Sequence, residues 1–87
     1  MEVTLEKHDY SGPLRRCAVV VGIGKKWITL TYASFRWRFE RRKGWEAGAF
    51  TVYNFHPWMI VPADLAKLNA LADANGGTWK PKKNPKA

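Results

Sequence analysis

Acidic residues are scarce in this 87-residue chain: seven Asp and Glu stand against fifteen Lys and Arg, for a formal net charge of +8. That imbalance points to a polyanionic partner, nucleic acid first among them, and says nothing about fold. Cysteine is nearly absent. The lone Cys17 cannot form an internal disulfide and sits in a Val-rich run, so it is expected to be an inert core thiol in a reducing compartment. Long apolar runs are also missing, and no basic start leads into an apolar segment. Neither a transmembrane helix nor a signal peptide is therefore expected, and the chain reads as soluble and cytoplasmic.

The same shortages argue against chemistry. With only His8, Cys17 and His56 available, and Asp9 beside the first, nothing has the spacing of a zinc site, and no metal is expected. The few carboxylates are scattered and offer no pair at helical spacing. No nucleophile stands in a pattern with a base and an orienting group. Gly22-Ile23-Gly24-Lys25-Lys26 follows a strand, yet it lacks the four-residue spacer, the Ser or Thr after Lys and the following helix of a phosphate-binding loop. No catalytic residue and no cofactor are predicted, so the protein is expected not to be an enzyme.

What the chain does have is aromatic residues, five Trp, four Phe and three Tyr, set among cations. Phe35, Trp37 and Phe39 alternate with Arg36, Arg38 and Glu40. In a strand, alternate side chains face opposite ways, so three aromatics would enter a core while two arginines line the other surface. Val3 and Leu5 mark a first strand, Ser11-Gly12-Pro13 a turn, and Leu14 to Ile23 a second strand. From Cys17 to Ile23 the residues are apolar on both faces, as in a strand covered on each side, and Gly22 marks curvature. Gly24-Lys25 predicts a type II′ hairpin into Trp27–Tyr32. A further strand is expected from Phe50 through Val52 and Tyr53, and a short one at Met59–Val61.

Pro62 suits a first helical turn, and Leu65, Leu68 and Leu71 recur over an Ala-rich segment, which predicts a helix over about 63–75. Asn75-Gly76-Gly77 would end it with a left-handed cap. The expected fold is mainly β: a small, strongly bent antiparallel sheet or Src-homology-3-like barrel of five or six strands, one open end plugged by the C-terminal helix. An oligonucleotide-binding barrel has the same strand count, and short connections favour the former. Residues 1–79 form one domain in this reading, and 80–87 a basic disordered tail carrying Lys80, Lys82, Lys83 and Lys86.

The run Val21-Gly22-Ile23-Gly24-Lys25-Lys26-Trp27-Ile28-Thr29-Leu30, followed by the Arg-rich strand, resembles a pattern in small β-barrel proteins of tailed bacteriophages. The resemblance implies a small barrel in a phage or host-directed setting. It carries over no functional residues.

The candidate site is a phosphate-binding face of Lys25, Lys26, Arg36, Arg38, Arg41, Arg42 and Lys43, which contacts DNA or RNA by its backbone. Trp27, Tyr32 and Tyr53 are candidate stacking surfaces for unpaired bases. The alternative is a phage-encoded, host-directed inhibitor in which an apolar loop of His56, Trp58 and Met59 anchors a host protein and the same cationic face docks on that protein's acidic nucleic-acid-binding groove.

Overall fold

A computed structural model describes residues 1–51 and 55–81. The predicted strand through Val52 and Tyr53, and the tail lysines Lys82, Lys83 and Lys86, lie outside these described residues. Five strands, β1 (Glu2–Asp9), β2 (Gly12–Ile23), β3 (Trp27–Tyr32), β4 (Phe35–Glu40) and β5 (Met59–Ile60), precede one helix, α1 (Pro62–Ala74). They form an antiparallel sheet in the order β4-β3-β2-β1-β5, curled into a half-barrel. The expected fold class is the observed one.

The curl starts in β2. Its first half pairs with β1 (Leu5 with Arg16) and its second half with β3 (Ile23 with Ile28), with a register shift between Val20 and Gly22. A bulge of this kind bends a strand and increases its twist, which is the curvature expected at Gly22. Between the outer strands, Trp45 and Glu46 fill the gap: Glu46 bridges Phe39 of β4, and Trp45 bridges Met59 of β5. Glu46 also accepts the Trp37 indole N–H and the Trp58 backbone N–H, each at 2.9 Å, so one half-buried carboxylate joins both sides of the opening.

Leu5, Val20, Ile28, Leu30, Phe39 and Ile60 line the concave side, where Leu68 and Ala72 of α1 cover them at one end. Helix and sheet are tied at Asp64, which accepts the Thr4 backbone N–H at 2.8 Å. Past the helix, Gly76 (φ +83) turns the chain, and Gly77 N–H donates to Ala72 O at 2.8 Å, the left-handed ending expected there. Trp79 then pairs with Ile23. At the opposite end no helix lies among the described residues. There the Arg16 guanidinium lies 4.9 Å from the Tyr32 ring centroid and 4.7 Å from that of Trp58, its charged head outermost over aromatic faces.

Several expectations need correction. Cys17 and Val19 are exposed, because α1 covers the concave side and no described residues form a second layer on the convex one; Cys17 is not a core thiol. Phe35, Trp37 and Phe39 do share the inner face, but burial fades along β4 from Phe39 to Phe35, which is 51% exposed at the open end. The β2–β3 turn is centred on Lys25 and Lys26 rather than Gly24 and Lys25. Gly24 N–H donates to Trp27 O at 2.8 Å, and Gly24 lacks the positive φ that a type II′ turn requires. Phe50 lies in a turn with φ +60, not in a strand, and its ring packs edge-on against Trp45.

Candidate nucleic-acid interface

The register of β3 and β4 sets the outer face. Thr31 lies opposite Arg36, Thr29 opposite Arg38 and Trp27 opposite Glu40, so all six side chains point away from the core. Arg36 and Arg38 are exposed. The Arg38 guanidinium lies 4.8 Å from the Trp27 ring centroid and Lys26 Nζ lies 5.8 Å from it. Trp27 is thus a half-buried aromatic on the convex face, covered by cations rather than by core.

An open groove of about 530 Å³ runs beside that ring. Its walls carry five cations, Lys25, Lys26, Arg36, Arg38 and Lys80, and no described Asp or Glu lines it. None of the five forms an ion pair among the described residues. Lys25 and Lys26 also form the shared lip of a second open concavity of about 580 Å³, where Arg42 and Glu40 stand. Together they make one cationic tract across the β2–β3 turn. A polyanion is the natural counterpart of such a tract, since an Arg fork grips two phosphate oxygens and Lys adds a point charge.

Not every predicted residue is free in it. Arg41 lines the second concavity, but its donors are engaged by the protein: Nη1 donates to Gly24 O at 2.8 Å and Gly77 O at 2.7 Å, and Nε donates to Asn69 Oδ1 at 2.9 Å. Its side chain is only 13% exposed. Lys43 is exposed on the turn after β4 but lines neither concavity. Of the stacking candidates, Trp27 alone borders the groove; Tyr32 packs against the core under Arg16, and Tyr53 is outside the described residues.

The apolar loop fares differently again. Trp58 is buried, with its ring edge-on to Trp37 at 6.0 Å, so it is a core residue and not an exposed anchor. His56 packs edge-on against Tyr10 and its Nδ1 donates to His8 O at 3.1 Å, which braces the β1–β2 hairpin. Met59 is half-buried in β5. Among the described residues, no cluster of three His, Cys, Asp or Glu side chains is placed to hold a metal ion, and no helix is long and apolar enough to cross a membrane.

Lys80 is the groove residue that sequence reasoning assigned elsewhere, to the tail. The pairing of Trp79 with Ile23, with N–H to O distances of 2.7 and 2.9 Å, carries it to the groove wall. A large aromatic directly before the Lys/Pro run was the available signal. No protein-family model matches this chain, and no curated protein or solved structure is significantly similar to it.

Proposed function

We propose that this chain is a non-enzymatic nucleic-acid-binding protein that holds the phosphate backbone in the groove beside Trp27. Arg36 and Arg38 are the principal contacts, with Lys25, Lys26 and Lys80 on the walls and Arg42 beyond the turn. The observation that carries the reading is the groove's composition: five cations without an ion pair or a lining carboxylate among the described residues, on a chain of net charge +8. Cations kept merely for solubility are normally interspersed with acids. A host-cell cytoplasmic setting, as the resemblance to phage barrels implies, goes with this reading.

The test is binding to fluorescent oligonucleotides across a salt series. Binding should be micromolar or tighter at low salt and weaken steeply as salt rises, because each neutralised phosphate releases a counterion. The double variant Arg36→Ala/Arg38→Ala should flatten the log–log salt slope by roughly one unit per lost contact, with similar losses for all base sequences. Absence of binding even at low salt would reject the proposal and leave an acidic protein as the partner to seek.

A further inference from the structure

We infer that the groove is built for a single strand rather than a duplex, with one unpaired base lying against Trp27 while Arg36, Arg38 and the lysines hold the flanking phosphates. This rests on the nucleic-acid reading above and adds the form of the ligand.

Trp27 is the first observation. Among the described residues, Trp37, Trp45 and Trp58 each pack on another aromatic ring, and Trp79 packs against the core cluster. Trp27 does neither. Its ring lies against the cations Lys26 and Arg38, on the face of the sheet away from the core. Core packing does not account for the largest aromatic side chain at that position. A base offers one, because stacking on an aromatic ring needs a free π-face, and a base inside a duplex has none.

The second observation is Gly22, on the groove floor opposite Thr29. Its φ is not in the left-handed region, and a Cβ placed there would meet nothing nearer than the Trp79 carbonyl oxygen, at 3.9 Å. Gly22 sits at the β2 bulge, but with φ outside the left-handed region and room for a Cβ the bulge does not itself require glycine. A bare floor beside the indole leaves room for a planar group to enter, the close approach for which glycine in a strand is suited.

Arg38 supplies the link between base and backbone. An exposed cation–π contact is weak enough to be exchanged for a charge-assisted bond to phosphate. As a base slides onto the indole, the guanidinium can therefore move to the adjoining phosphate without leaving the groove. A recessed ring between cationic walls suits a flexible strand, whose bases turn inward, better than a duplex that presents only its phosphates.

The experiment compares one oligonucleotide sequence as single-stranded DNA, single-stranded RNA and duplex DNA, at equal salt, with wild-type protein and the variants Trp27→Ala, Trp27→Phe and Gly22→Val. Wild type should prefer the single strands. Trp27→Ala should weaken single-strand binding about tenfold or more and Trp27→Phe much less, while duplex binding changes little. Gly22→Val puts a good strand former into open space, so its melting temperature should hold while single-strand affinity falls. Equal or tighter duplex binding by wild type would overturn the inference and leave the phosphate-binding reading standing. So would unchanged single-strand affinity in a folded Gly22→Val protein. Binding to none of the three ligands at low salt would instead reject nucleic-acid binding altogether.

Discussion

Arg41 and Asn69 are bonded to each other in both directions: Arg41 Nε donates to Asn69 Oδ1 at 2.9 Å, and Asn69 Nδ2 donates to the Arg41 carbonyl at 3.1 Å. The other guanidinium donors reach Gly24 O, Gly77 O and, at 3.6 Å, Asp73 Oδ1. One side chain therefore joins the end of β4, the lysine turn, the helix and the helix's terminal glycines. It holds the groove's lip in place rather than touching a ligand.

Truncating it should cost stability. Arg41→Ala removes charge-assisted hydrogen bonds and strands two carbonyls, and should destabilise by about 2–4 kcal/mol. Arg42→Ala, on an exposed neighbour, should stay within about 0.5 kcal/mol. Urea denaturation of the two variants checks the contrast, and equal effects would contradict the clamp.

Gly44 follows the basic turn with φ +82, and it is buried. A Cβ there would lie 3.1 Å from Leu65 Cδ2 and 3.3 Å from the Ile60 carbonyl oxygen. The backbone conformation and the crowding act together, so Gly44→Ala should destabilise by about 2–4 kcal/mol. A thermal melt measures it; a neutral result would mean that α1 packs less closely on this turn.

The β3–β4 turn is strained in the opposite sense. Ala33 and Ser34 both have positive φ, 49° and 71°, between the paired residues Tyr32 and Phe35, as in a type I′ turn. Neither residue favours that region, and Asn-Gly does. Replacing the pair by Asn-Gly should stabilise the protein by about 1–2 kcal/mol, visible as a higher urea midpoint with an unchanged slope.

At acid pH, Glu6 should contribute to the loss of stability. A hydrogen bond from the His8 ring, helped by the charges of His8 and Arg15, holds its pKa below the ordinary value of 4.5. A depressed carboxyl pKa stabilises the fold above the unfolded-state value, and that contribution disappears as pH falls through the folded-state value. Melting temperature should therefore decline below about pH 4.5, and Glu6→Gln should flatten part of that decline. Identical pH profiles for the two proteins would remove Glu6 from the account.

Strand alternation and helix punctuation are legible in the sequence. The FRWRFE segment sorts its arginines from its aromatics by period two alone, and Pro62 with Asn75-Gly76-Gly77 brackets the helix by local backbone preference. What misled was any inference that required knowing how many layers cover the sheet. Cys17 and Val19 read as core because a strand apolar on both faces usually has a cover on each, and here, among the described residues, only the concave side has one.

The candidate site divides the same way. Residue type and period alone determined that Arg36 and Arg38 leave the core together, because a one-residue slip would bury charge. Which cations share a groove was decided by tertiary structure. Arg41 and Arg42 are neighbours in sequence, yet one is spent on Asn69, Gly24 and Gly77 while the other faces solvent. Lys80, more than forty residues from Arg38, reaches the same groove through the pairing of Trp79 with Ile23. Local sequence sets which way a side chain points from its strand; only long-range packing sets what stands within hydrogen-bonding distance of it.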